Sequence, residues 1–203
     1  MSTNTICPNL IINRIKLVIT SPVQCWTTIS SENKTAKELF ISLAMPTLVV
    51  ATLCSQLGLL IFGQPGLLGQ LHPSLFGSLS QGVVQIIIGA AMPFALAWLI
   101  EKLAPFFQGK ANYDSAYSWI IYASLPQLCG TMLTIFPPIG DRLSILFSIY
   151  ALYVLYKGLP SMLEIPVTQR IPFFITYLVV VLLVFVGVLI VAAPFMIQAT
   201  LPT

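Results

Sequence analysis

Leu178-Val-Val-Val-Leu-Leu-Val-Phe-Val-Gly-Val-Leu-Ile-Val-Ala-Ala193 carries no strongly polar side chain from end to end. With its flanks it extends an apolar stretch over 172–197. A helix rises 1.5 Å per residue, so about 20 mostly apolar residues cross the roughly 30 Å hydrocarbon layer of a bilayer. Four more stretches meet that length, at about 39–62, 82–100, 115–136 and 143–163. The reading is an all-α membrane protein with five transmembrane helices over 39–203, preceded by a cytoplasmic segment, 1–38.

Composition agrees. The chain has 203 residues, of which 7% are charged, against about 25% in a soluble domain. Its mean hydropathy is +0.94. The net charge of +3 gives no reason to expect a nucleic-acid partner; the partner implied by composition is the lipid bilayer. The fourth stretch is the shortest, since its uncharged part ends at Tyr156. Lys157 is therefore expected at the inner boundary, its ammonium reaching the headgroups.

The basic residues set an orientation. With the N-terminus inside, Arg14, Lys16, Lys34, Lys37, Lys102, Lys110, Lys157 and Arg170 all fall on the cytoplasmic side, and Arg142 alone falls outside. This is the positive-inside pattern. Five spans place the C-terminus outside, periplasmic if the membrane is a bacterial inner (plasma) membrane. Gly63 to Gln81 is uncharged and reads as an outer loop, with Leu67 to Leu79 dipping into the interface. No cleavable signal is expected, because Arg14 and Lys16 interrupt the first apolar run. Leu10, Ile11, Ile15, Val18 and Ile19 share one helical side, away from Asn13, Arg14 and Lys16. That pattern predicts a short amphipathic helix on the inner surface, ended by Pro22, with Trp26 at headgroup level.

No catalytic, cofactor-binding or metal-binding constellation is visible. Cys7, Cys25, Cys54 and Cys129 form no CxxC pair, and Cys54 and Cys129 sit in apolar runs as small hydrophobes. His72 lies alone beside Pro73. The acids Glu32, Glu38, Glu101, Asp114, Asp141 and Glu164 lie at span ends or in loops, so no span holds the central carboxylate of a coupled transporter. An intramembrane enzyme has no paired acid, base or nucleophile to work with.

Other features bear on binding. Pro46, Pro93, Pro126 and Pro194 interrupt four spans and free backbone carbonyls, either within sealed packing or toward a cavity. Gln127 follows Pro126 and serves as interhelical glue or, less simply, as a solute contact. In Tyr150-Ala-Leu-Tyr-Val-Leu-Tyr-Lys-Gly-Leu-Pro160 the tyrosines 150, 153 and 156 line one helix side. Lys157, Gly158 and Pro160 are expected to make a sharp helix exit. An aromatic belt accounts for Tyr156, but Tyr150 lies about 10 Å deeper, where a phenol needs a partner.

Tyr153-Val-Leu-Tyr-Lys-Gly-Leu-Pro160 with Ile165-Pro166 resembles the bacterial Yip family of inner-membrane proteins, in particular its YohC-like branch. Arg14, Pro22, Trp26, Glu32 and Tyr122-Ala-Ser-Leu-Pro126 belong to the same resemblance, which covers about residues 10–198. It implies five spans and a cytoplasmic N-terminus. Eukaryotic members bind prenylated Rab-type GTPases in vesicle traffic, but their Asp-Leu-Tyr-Gly-Pro motif is absent here, so that role does not carry over. Two readings of function remain. One is a non-enzymatic scaffold or adaptor binding a protein or lipid partner at the cytoplasmic face. The other is a transporter or channel for a small or lipidic solute, with a cavity near Pro46, Pro93, Gln127 and Tyr150. Tyr150, Tyr153, Tyr156, Lys157, Gly158, Pro160 and Gln127 are the candidate contacts. Small residues suit packing within one chain or in a homo-oligomer alike.

Overall fold

The computed structural model describes residues 8–32, 34–66, 69–71 and 73–200. Cys7 and His72 lie outside them. The described chain is helical apart from one small ribbon. Its elements are α1 (Pro8–Thr20), α2 (Pro22–Ser30), α3 (Ala36–Phe62), α4 (Leu75–Leu103), α5 (Tyr113–Leu133), α6 (Pro137–Met162) and α7 (Arg170–Thr200). β1 (Gln64–Gly66) and β2 (Gly69–Leu71) pair antiparallel between α3 and α4. This ribbon departs from the all-α expectation. It sits in the section expected to be a loop, and Gly63, at φ 74°, ends α3 ahead of it. α4 then begins at Leu75, earlier than the expected 82, because Ser74 caps it by accepting from the Gly77 N–H at 3.0 Å.

Four helical segments are long and apolar enough to cross a membrane: Ala36–Phe62, Leu75–Phe107, Ile139–Met162 and Val167–Val188. α5 is not among them, and its place in the fold explains why. It packs on α1, α3, α4 and α6, and every residue from Ala116 to Ala123 is buried. A helix enclosed by protein need not be apolar all round, and this one carries Ser118, Ser124 and Gln127. α7 is the opposite case. Phe173 and Tyr177 in its first turns pack on Trp119, with ring centroids 6.3 and 5.0 Å away. Farther along, Val179, Leu182, Leu183 and Val186 are exposed, an outward apolar face.

Helix starts and stops reflect local chemistry. Thr35 and Glu38 form a reciprocal capping box at the start of α3. Asp114 reaches over from α5 to accept the Ala36 N–H at 2.7 Å. Asn112 and Ser115 form a second box at the start of α5. Pro22 does end α1, but it also occupies the first turn of α2, where its missing N–H costs nothing. The N-terminal segment is thus two helices, not one. Pro46 is accommodated differently. Phe40–Ala44 forms a π turn in which the Met45 N–H bonds the Phe40 carbonyl, widening the turn that the proline ring would otherwise crowd.

The exit expected at Gly158–Pro160 does not occur there. Both residues lie within α6, which runs on to Met162. The chain turns at Glu164, the residue with positive φ, 51°. Gly158 serves close approach instead. A Cβ there would meet Trp119 Cδ1 and Trp26 Cε2 at 2.7 Å each. The Trp26 indole N–H donates to the Val154 carbonyl at 3.0 Å and that of Trp119 to the Leu155 carbonyl at 2.8 Å. Trp26 is 1% exposed. It is an internal clamp on α6 and not the headgroup-facing residue expected.

Gly158→Ala should therefore lower thermal stability measured in detergent by the equivalent of about 1–3 kcal/mol or more, the usual cost of overpacking. Gly187→Ala is the control. Nothing lies within 4 Å of a Cβ built there, so its melting temperature should hold or rise.

Candidate functional site

The tyrosine row of α6 divides into separate tasks. The Tyr150 hydroxyl donates to the Ile19 carbonyl at the end of α1, at 2.8 Å. This is the partner that a deep phenol requires, and it ties α1 to the bundle. Tyr153 stacks 5.8 Å from Tyr150 and lies under Lys157, whose Nζ is 5.5 Å from the ring centroid. Tyr156 meets Phe174 of α7 edge-on at 5.4 Å. Tyr150, Tyr153 and Lys157 thus form one surface. Gly158 belongs to the tryptophan clamp, and Pro160 lies in the last turns of α6. Gln127 is not part of this group. It lines a cavity toward the opposite end of the bundle.

α1 and α2 are held by more than Tyr150. Arg14 donates to Glu32, and Lys34 Nζ lies 3.0 Å from the other carboxylate oxygen of Glu32. Burial alone would push the Glu32 carboxyl up, but the bonds from Arg14 and Lys34 outweigh it and hold the group below the usual range. Val18 is fully buried, and Ile15 and Leu17 pack on the core, so the apolar side of α1 faces protein. Cys25 lies beneath, its thiol pushed up to about 11 by burial. It is a protonated packing group at neutral pH. The separations in sequence between Arg14 and Glu32, and between Trp26 and Val154, leave no mark in local periodicity. Their residue types, an arginine and a tryptophan in a short polar segment, are the signal the sequence carries.

Beside this platform lies a polar recess of about 370 Å³. It forms where the end of α2, the linker after α4, the start of α5 and the end of α6 meet. Lys34, Lys110, Asp114, Ser118, Ser161 and Glu164 line it. The linker is braced across it by Lys110 N–H donating to the Leu163 carbonyl at 2.9 Å. Most of the chain's cations surround this end.

The second space, about 630 Å³, lies between α3, α4 and α5, in the half away from the lysines. It extends from Leu48 and Met92 to Gly63 and Asp141. On the lysine side of Leu48 and Met92, Phe40, Phe94 and Tyr117 stack, with centroids 5.1 and 4.7 Å apart. Gln56 joins its walls, accepting from Ser78 Oγ at 2.9 Å and donating to Gln85 Oε1 at 3.2 Å. Tyr150 is not among its lining residues. Of the positions expected around a cavity, Pro46, Pro93, Gln127 and Tyr150, only Gln127 lines this one, and Leu48 and Met92 in its walls lie close in sequence to Pro46 and Pro93. Among the described residues no three of His, Cys, Asp and Glu come together as metal ligands.

Several long apolar helices around a buried, more polar one define the class: an integral, multi-pass helical membrane protein. The family model of the Yip1 domain matches residues 16–189, from within α1 to within α7, and the chain belongs to the Yip family. No curated protein and no solved structure matches it.

Two outcomes test the α1–α2 platform. Tyr150→Phe removes one hydrogen bond, worth about 1 kcal/mol, and should speed amide exchange at the end of α1 about fivefold. Glu32 has a folded pKa below the ordinary glutamate value of 4.5. Its contribution is present above that value and is lost as pH falls through the lower folded one. Protection of α1 and α2 against exchange should therefore drop as pH falls below the ordinary glutamate value, and Glu32→Gln should remove that pH dependence.

Proposed function

We propose that the protein is a non-enzymatic membrane adaptor that engages a protein or lipid partner through the recess at its lysine-rich end. The observation that carries this reading is the recess itself. It is polar, rimmed by Lys34 and Lys110, and built from four separate chain segments pinned by internal hydrogen bonds. Preorganised polar surfaces of this kind lower the ordering cost of binding. The orientation that suits the reading has α1 and α2 on the cytoplasmic side of a bacterial plasma membrane. α5 then counts as the fifth span, since its 21 residues rise about 31 Å, and the C-terminus lies outside. The resemblance to the YohC-like branch supports that location. The surface of Tyr153 and Lys157 flanks the platform and extends the same face.

A second reading, transport of a small or lipidic solute, is favoured by the cavity that reaches Gln127. Phe40, Phe94 and Tyr117 stack on its lysine side without lining it, and a path through the bundle would have to pass that cluster.

Photo-crosslinking probes at positions 108 and 161, in native membranes, test the adaptor reading. One recurrent adduct is expected at both positions, reduced at least fivefold by Lys110→Glu and by Lys157→Ala with insertion unchanged. Adducts indifferent to both substitutions, or none at all, refute the adaptor reading and leave transport.

A further inference from the structure

We propose that the cavity between α3, α4 and α5 is a binding site for a single-chain amphiphile whose head donates hydrogen bonds and carries no negative charge. The inference stands apart from the partner reading, because it concerns the opposite half of the bundle.

The walls have two chemistries. Leu48, Ile88, Met92, Leu128, Phe185 and Val188 present hydrocarbon. Between them stand uncharged polar groups, chiefly the amides of Gln56, Gln81, Gln85 and Gln127. The volume, about 630 Å³, falls in the range of small-ligand sites, about 300–1,000 Å³. From Leu48 to Gly63 the space follows α3 for about 22 Å at 1.5 Å per residue, the reach of an extended chain.

Polar groups in the walls are left over. Thr52 lines the cavity and is 2% exposed, yet its hydroxyl has no hydrogen-bond partner among the described residues. An unpartnered buried hydroxyl is costly, and a rotation of the Thr52 side chain toward the cavity would let an occupant complete it. Gln56 spends its amide on Ser78 and Gln85. The acceptor of Gln85 is thereby used, and its N–H groups have no protein partner among the described residues. These groups suit a head with hydroxyl or similar oxygen and hydrogen to exchange. The charge pattern sets the sign. The cavity has one ionisable lining residue, Asp141 at its mouth, and no cation among the described residues that line it. Asp141 is exposed, so its field is partly screened; what disfavours an anionic head is that no lining cation would compensate its charge.

The test uses the full chain in nanodiscs with three diazirine probes of equal chain length: a monoacylglycerol, an alkylamine and a fatty acid. Labelled peptides are mapped by mass spectrometry. The expected result is labelling of α3 and α4 by the monoacylglycerol, with or without the alkylamine, at least tenfold above the fatty acid. Thr52→Val and Gln85→Leu should each lower it at least fivefold. Thr52→Val is nearly isosteric and keeps the fold. Removing an unpartnered hydroxyl should also raise the melting temperature of the lipid-depleted protein, so stability and labelling move in opposite directions. Asp141→Asn should lower labelling by the alkylamine and leave that by the monoacylglycerol. Equal labelling by all three probes, indifference to Thr52→Val and Gln85→Leu, or no labelling of α3 and α4 would each overturn the proposal and leave a space filled by bulk lipid.

Discussion

Two indole N–H groups donate to adjacent carbonyls of one helix, and a glycine lies between the rings. Trp26 comes from α2 and Trp119 from the buried α5, and both close on Val154, Leu155 and Gly158 of α6. In a bilayer, apolar contact between helices gains little, because lipid tails are as apolar as leucine. Close packing and internal satisfaction of polar groups must hold the helices together. This contact supplies both. It needs a residue without a side chain at 158, and it joins the N-terminal platform, the central helix and α6 at one point. Phe173 and Tyr177 then dock α7 on the same Trp119.

The arrangement explains why α5, which reads as a span by length, is less apolar than the helices around it. α3, α4, α6 and α7 face outward for much of their length, and their apolar runs are plain in the sequence. The stretch of α5 from Ala116 to Ala123 is buried against protein, so Ser118 costs less there than it would against lipid, and Gln127 faces the cavity. The extent of α5 is still legible, since the apolar run over 115–136 lies close to the observed Tyr113–Leu133. Boundaries that depend on a single cap or on strand pairing are harder to read. The start of α4 depends on the Ser74 cap, and the ribbon before it contradicts the helical pattern of everything else.

The site is legible in residue type and not in role. Tyr150 is recognisable as a phenol too deep for a headgroup, but only folding shows that its acceptor is Ile19, far away in sequence. Lys157-Gly-Leu-Pro160 is recognisable as unusual, and the local rules for glycine and proline point to a helix stop. Those rules describe a residue's own backbone. Gly158 answers to the volume of two tryptophans brought in from elsewhere, and the helix continues because its surroundings hold it. Trp26 fails the surface rule for the same reason: an indole with an internal carbonyl to bond does not need the interface.

The prolines mark the boundary between the two halves of the bundle. Pro46, Pro93 and Pro126 each lie within two residues of a cavity-lining side chain, Leu48, Met92 and Gln127. On the lysine side of that level lie the stacked rings of Phe40, Phe94 and Tyr117 and the tryptophan clamp. On the other side α3, α4 and α5 leave the space lined by glutamines and threonines. A proline lets a helix change direction at a defined level. With one at a similar depth in each of three adjacent helices, the helices can be tightly packed on one side of that level and separated on the other. The prolines and the polar residues beyond them then belong together, since helices that separate in a membrane must present something for the space between them to hold.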